Sequence, residues 1–556
     1  MARPVRSRPP RPARTAARRA DAPSRAGLGA GGWALLFAAS LGAALLLYRP
    51  ALSGPFLSDD HHYVIDNAFV RDLSPASALR ILDPTSDAAL SVSNYAPVQL
   101  LLHAAALRVF GEDPTGHHVI NVGLHALASV LLVALFLQAG LPLLAALLGG
   151  ALFLAHPANV EAVAWISQLK SSSSLVLALA ALLAYGRRPG LATVFFALAL
   201  LAKGHAVIAL PIAALFEWLR SGRVRWRWIA LWAALFAAYA VVEITSHERN
   251  QGGAPPRDDA PAVWLRSVVA IAMRYLVMAA SSWGTSAFHE TEPARSPLDP
   301  WFLAGLVVFA GLGWRLVVTL KRRSPEAVFW IWALVAFAPV SQVFPFLYPM
   351  ADRYLYFMLP GLIGAALFAA RDAAGWLPEP RRRSASVAAA LGVAALGVFF
   401  AVRSVERAAV WRSAASLVAD AAAHYPGGVS ANLLRAKRAA QIGDASEVAA
   451  ALRAAAQRGY TLFEPLDTDP AFAEVRDRPE FRAVISEIAG GWILRGRERE
   501  DPTQQELQMI GHAHYARGEK AEAIAVLRRA LAKGGARDEQ IRADLAALGA
   551  PEPGGS

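Results

Sequence analysis

Residues 119–154 read VINVGLHALASVLLVALFLQAGLPLLAALLGGALFL, two apolar runs, Val119 to Gln138 and Leu141 to Leu154, without one Asp, Glu, Lys or Arg. About 20 apolar residues in a helix cross the hydrocarbon core of a bilayer. A bilayer is therefore the solvent that this stretch requires. The rest of the chain repeats the pattern. Further runs are Trp33 to Tyr48, Ser171 to Tyr185, Leu191 to Ala202, Ala206 to Trp218, Trp228 to Val242, Phe302 to Leu320, Ala327 to Phe346, Tyr354 to Ala370 and Ala385 to Val402. They explain why 55% of the 556 residues are hydrophobic and why the mean hydropathy is +0.35.

The net charge of +12 invites a nucleic-acid reading, but its distribution argues against one. Residues 1–25 hold eight arginines and one aspartate, and other basic clusters (Arg187 and Arg188, Arg220 to Arg227, Lys321 to Arg323, Arg381 to Arg383) fall between apolar runs. Lys and Arg in the loops of one side are what orients a membrane protein. Alternating the runs places all four of these loops inside. Val263 to Ala280, with Arg266 and Arg274, would invert everything downstream if it crossed. It reads instead as a re-entrant or interfacial helix. The expectation is an all-α polytopic bundle of about 11 spans. Its N-terminus is cytoplasmic and its C-terminal part extracytoplasmic (periplasmic), in the inner (cytoplasmic) membrane. The chain has no cysteine, which excludes disulfides, thiolate ligands and thiol catalysis.

Three regions follow. Residues 1–30 are a basic, disordered cytoplasmic tail. Residues 31–403 are the membrane domain, with a long outer loop at 49–118. Residues 404–550 turn soluble and Ala-, Glu- and Arg-rich. Within the last region, Leu507, Gly511, Gly518, Ala523, Leu527 and Ala530 sit where a tetratricopeptide repeat places its packing residues. Asn432 to Ala455, with Gly443 at the turn, is a weaker copy. Such a domain offers a surface for a protein partner.

Polar groups gather at the outer side: Asp59, Asp60, His61, His62 and Tyr63; His156, Asn159, Glu161, Trp165 and Lys170; Lys203 and His205; Asp352, Arg353 and Tyr354. Carboxylates and cations above an apolar bundle suit a substrate with a lipid tail and an anionic head. A carboxylate supplies a base for a hydroxyl acceptor. Cations hold a phosphate leaving group. Asp59 or Asp60 fits the first role; Lys203, Arg353 and Lys170 fit the second. Plainer readings stand beside these. Loop aspartates are commonly turn formers, and neighbours on an extended chain point apart. Lys203 and Arg353 read equally as flank anchors. His61 and His62 lack metal-ligand spacing, and no metal site is expected, although the Asp pair permits a divalent ion. His117, Asn121 and His125 share one helix face and read as a polar seam between helices.

Taken together, five motifs resemble one family. They are FLSDDHHYVIDN at 56–67, NYAPV at 94–98, Phe110 to His125 (with Gly111, Pro114, His117, His118 and Asn121), HPANVEAVAWIS at 156–167 and ADRYLYFMLP at 351–360. In that order, followed by a repeat tail, they resemble the transmembrane and tetratricopeptide repeat O-mannosyltransferases and their bacterial relatives. The resemblance implies a glycosyltransferase of the GT-C class that takes a polyprenyl-phosphate-linked sugar and gives it to a protein or glycan acceptor. It implies Asp59 as the catalytic acidic residue with Asp60 as partner. It also implies His62, Tyr95, His156, Glu161, Lys170, Lys203, Arg353 and Tyr354 around the substrates. Two departures remove charge: Ala96 stands where the family commonly has Arg, and Gln168, Leu169 and Ser171 interrupt an otherwise charged element that keeps Lys170. The rival readings are a transporter or flippase of lipid-linked or small solutes, and a non-catalytic scaffold presenting the repeats.

Overall fold

The computed structural model describes residues 28–550 apart from 73, 87, 89–91, 93, 252–259, 343–348, 500 and 536, and without the side chains of 247–251 and 498. The basic tail expected over 1–30 lies almost wholly outside the described residues. Among those described, the chain is helical and has no strand. The membrane region comprises α1 (Ala30–Tyr48), α2 (Pro97–Phe110), α3 (Pro114–Ala139), α4 (Leu143–Ala155), α5 (Val160–Ala164), α6 (Leu169–Tyr185) and α7 (Pro189–Ala202). It continues with α8 (Ala209–Ser221), α9 (Trp226–Gln251), α10 (Pro261–Ser281), α11 (Pro300–Lys321), α12 (Glu326–Phe337), α13 (Asp352–Gly375) and α14 (Glu379–Val410).

Among the described residues, eight helices are long and apolar enough to cross a membrane, or up to nine if α4 is joined to the segment Pro157–Ala164, from which it bends by 51°. The remaining expected spans are shorter. α7, α8 and α12 have 14, 13 and 12 residues, a rise of roughly 20 Å each at 1.5 Å per residue. Crossing on so few residues requires local thinning of the bilayer or flanking groups that reach the interface.

The bundle has two chemically distinct ends. Trp33, the turn at Gly140, Arg187, Arg220, Arg225, Arg323 and Arg371 line one common cavity. Arg382 reaches back to the carbonyl of Gly375 at the same end. The four basic loops picked out in the sequence therefore share one end of the molecule. Arg353 and Arg371 lie 18 residues apart on α13, about 27 Å along the helix. That is close to a hydrocarbon thickness, so the segments around Arg353 form the opposite end.

α10 is a single continuous helix that qualifies as a span by length and composition, and several of its residues contact segments at the Arg353 end. Trp264 near its start donates to the carbonyl of Gln342 at 2.5 Å. Arg266 donates to the carbonyls of Ala294 and Arg295, and Tyr275 to that of Ala351 at 3.2 Å. Just past its end, the Ser286 N–H reaches Asp352. It is thus one continuous helix and not re-entrant.

The segment expected as the outer loop over 49–118 contains the apolar helix α2 and the start of α3 at Pro114. The seam read from α3 is present: Asn121 donates to the carbonyl of Trp165 at 3.0 Å and accepts from Ser172 at 3.1 Å, while His125 lies between Tyr356 and the Leu154 carbonyl.

Beyond α14 the chain forms helical hairpins. Val429–Gln441 pairs with Ala445–Gln457, and Gln504–Ala516 with Lys520–Lys533. Gly443 and Gly518 take φ of +71° and +79° at the two turns, a conformation glycine adopts without a steric cost. Leu507, Ala523, Leu527 and Ala530 are buried, and a side chain at Gly511 would strike Leu527. This domain rests on the membrane region. Asp420 accepts from the Ala287 N–H, Glu290 from the Val429 N–H, and His289 bridges Asp352 and Tyr425.

Candidate active site

The two aspartates of the outer segment have opposite surroundings. Ser58 sits at φ +50°, an uncommon conformation for a residue with a side chain. After this turn Asp59 is exposed and Asp60 is 1% exposed. Asp60 accepts from the Leu57 N–H at 2.8 Å, from the Ser167 N–H at 2.7 Å and from the Ser167 hydroxyl. Burial pushes its acid up to about 7, opposed by these donors. Asp60 therefore ties the outer segment to residues 165–167. Trp165 Nε1 adds to that tie by donating to the Leu57 carbonyl at 3.2 Å. Among the described residues the Asp59 carboxylate hydrogen-bonds only to the Ser58 hydroxyl, at 3.3 Å, and it faces solvent.

Glu161, 3% exposed on the short helix α5, accepts from the Arg353 backbone N–H at 2.7 Å and from the Arg353 guanidinium. That guanidinium lies over the rings of Trp165 and Tyr354, 5.5 and 5.0 Å from their centroids. Tyr354 is itself buried. The planar cation is thus held on aromatic faces with one edge neutralised.

Two ammonium groups complete the cluster. Lys170, at the start of α6, bonds to the Tyr63 hydroxyl at 3.4 Å and to Asn94 at 3.5 Å, above the Tyr63 ring. Lys203, in the tight connection between α7 and α8, donates to the Ser171 hydroxyl at 2.8 Å. Both are half-buried, and among the described residues neither forms an ion pair. Lys203 lies within electrostatic range of Lys170, Arg353 and Glu161.

The other candidates are placed differently. His62 is exposed beside Asp59, Asp66 and Lys170, with Arg537 of the C-terminal domain nearby. Tyr95 is buried, and its hydroxyl donates to the Leu82 carbonyl at 2.6 Å. His156 is buried with both ring nitrogens engaged by backbone, one by the Ala279 carbonyl at 3.0 Å and the other by the Ala158 N–H at 3.2 Å. As it stands, that ring shapes the bend between α4 and α5. Among the described residues, no three His, Asp or Glu side chains converge as metal ligands.

The structure adds residues that sequence reasoning passed over. Asn94 and Tyr63 cradle Lys170. Ser167 and Ser171 hold Asp60 and Lys203. Glu243 accepts from the Tyr95 N–H at 2.7 Å and lies within range of Lys170. Its signal was visible: an acidic residue directly after the apolar run that ends at Val242 is costly unless it has a partner.

Comparison with known proteins places this geometry in context. No family model matches the chain. Over 189 residues, 31% of its length, it is 33% identical to protein O-mannosyl-transferase Tmtc1 of Drosophila melanogaster. Over 173 residues, 29% of its length, it is 32% identical to protein O-mannosyl-transferase TMTC1 of Homo sapiens. These matches cover 22% and 18% of the two relatives, so the chain spans about a fifth of the length of the curated proteins it resembles. A solved structure of ArnT from Cupriavidus metallidurans bound to undecaprenyl phosphate superposes over 91% of this chain and 82% of that one. At 16% identity and a TM-score of 0.34, that likeness carries no argument. Over the third of its length that aligns, this chain is similar in sequence to the TMTC protein O-mannosyl-transferases.

Proposed function

We propose that the chain is a membrane glycosyltransferase of GT-C type. It moves a sugar, mannose by analogy with the relatives, from a polyprenyl-phosphate donor to a protein or glycan hydroxyl at the Arg353 end. We assign that end to the extracytoplasmic face of the inner membrane. One observation carries the reading: Lys170 and Lys203 are half-buried ammonium groups without an ionic partner among the described residues, and His62 lies within electrostatic range of both Lys170 and the exposed Asp59 carboxylate. Buried cations without counter-ions favour an anionic ligand, and a lipid-linked phosphate fits a site standing on apolar helices.

On this reading the donor tail lies between helices and its phosphate sits near Lys203 and Arg353. Asp59 takes the proton from the acceptor hydroxyl as that oxygen bonds to the sugar C1. The C1–O bond to phosphate breaks, and the polyprenyl phosphate leaves as an anion held by the cations. Asp60 keeps the Asp59 turn and the 165–167 segment in register. The test is transfer by purified protein in liposomes from polyprenyl-phosphate sugars to a hydroxyl-bearing peptide or glycan. Wild type should transfer, and Asp59→Asn should fold normally and fail. An active Asp59→Asn protein overturns the assignment of the base; wild type inactive with every such donor overturns the reaction.

A further inference from the structure

The opposite end of the bundle carries a cavity of about 1090 Å³ that the proposed reaction does not use. Its floor is apolar, built from Leu137, Leu141, Leu182, Leu183, Phe216 and Leu219. Its rim bears Arg187, Arg220, Arg225, Arg323 and Arg371 against a single carboxylate, Glu217. That carboxylate is already consumed. It accepts from the Arg225 N–H at 2.9 Å, from the Arg225 guanidinium and from the Tyr185 hydroxyl at 3.2 Å. Of the other four arginines, Arg371 donates to the Gly140 carbonyl at 2.8 Å and Arg323 lies over the Trp218 ring, 5.1 Å from its centroid. The guanidinium groups of Arg187 and Arg220 form no hydrogen bond or ion pair among the described residues, and that of Arg220 lies beside Gly186, next to Arg187.

We infer that this cavity binds the phosphate of a membrane lipid, with the headgroup on Arg187, Arg220, Arg323 and Arg371 and the first acyl carbons on the leucine and phenylalanine floor. Orienting a membrane protein requires only that its loop arginines meet water at one face. It does not require them to converge from three connections and the last turns of α13 onto one hollow, where like charges repel unless an anion joins them. A guanidinium cluster matches phosphate oxygens by paired hydrogen bonds. The apolar floor distinguishes a lipid from a soluble anion, and basic pockets between helices at a membrane face suit anionic lipid headgroups.

The experiment uses the full-length protein and needs no activity. Wild type and Arg187→Gln/Arg220→Gln are reconstituted in nanodiscs of phosphatidylcholine alone and with added phosphatidylglycerol. Thermal unfolding is followed, and retained lipid is measured by native mass spectrometry after gentle delipidation. Wild type should be more stable with phosphatidylglycerol and keep bound phospholipid. The double variant should match wild type in phosphatidylcholine and retain the anionic lipid about tenfold less. Equal retention by the two proteins overturns the proposal. So does a wild type indifferent to phosphatidylglycerol, a result that stands even if the variant folds poorly. Inorganic phosphate that stabilises wild type in phosphatidylcholine as much as phosphatidylglycerol does overturns the lipid assignment.

Discussion

Arg353 and Glu161, 192 residues apart, meet twice: the arginine's backbone N–H lies 2.7 Å from one oxygen of the glutamate, and its guanidinium meets the other. This joins the first turn of α13 to the bend after α4. Glu161→Gln leaves Arg353 without its counter-charge in a largely buried place and should cost about 3 kcal/mol. A lowered unfolding temperature in detergent is the measurement; an unchanged one would show that the pair does not hold these helices.

The two aspartates should separate cleanly. Asp60→Asn puts an amide against either the Leu57 or the Ser167 N–H, and an opposed buried donor costs about 1–3 kcal/mol. Its effect should be on stability and expression. Asp59→Asn should leave the unfolding temperature unchanged while transfer falls by about a hundredfold or more.

Lys203→Met keeps the length of the side chain and removes its charge. Because among the described residues the Lys203 ammonium hydrogen-bonds only to a serine hydroxyl, folding should be spared. Loss of a charged hydrogen bond of about 1.5–3 kcal/mol predicts a KM for the donor roughly ten- to a hundredfold higher. A donor KM equal to that of wild type would remove this residue from the phosphate site.

A pH test addresses the C-terminal domain. Burial pulls His512 down, but Glu464 and Asp544, one on each ring nitrogen, lift it above its ordinary 6.5. A raised histidine contributes stability that is fully present below 6.5 and is lost as pH rises through the higher folded value. Unfolding of this domain, followed by hydrogen exchange, should therefore become easier as pH rises above 6.5, and His512→Gln should flatten that dependence.

Gly361 of α13 faces α12 so closely that a Cβ would lie 2.6 Å from the Ala333 nitrogen and 2.7 Å from the Phe329 carbonyl oxygen. Gly361→Ala should destabilise by about 1–3 kcal/mol through overpacking. A variant as stable as wild type would show that these helices can part.

Much of the architecture was legible in the sequence because a bilayer and a helical hairpin each impose a simple pattern. Apolar runs of span length marked the helices, and the basic loops marked one end. Gly443 and Gly518 marked the hairpin turns. The site segments were also visible as polar clusters facing one way. What each side chain does there was not. Asp59 and Asp60 are adjacent and chemically alike, and only a partner 107 residues away, Ser167, makes one a buried tie and leaves the other in water. His156 and Tyr95 read as binding groups until backbone atoms outside their own motifs engaged them, and Glu243 gains its place only because the Tyr95 N–H meets it. Local sequence sets periodicity and cost of burial, which are properties of a residue and its near neighbours. Which donor meets which acceptor depends on how helices far apart in the chain pack, and only the tertiary structure decides that.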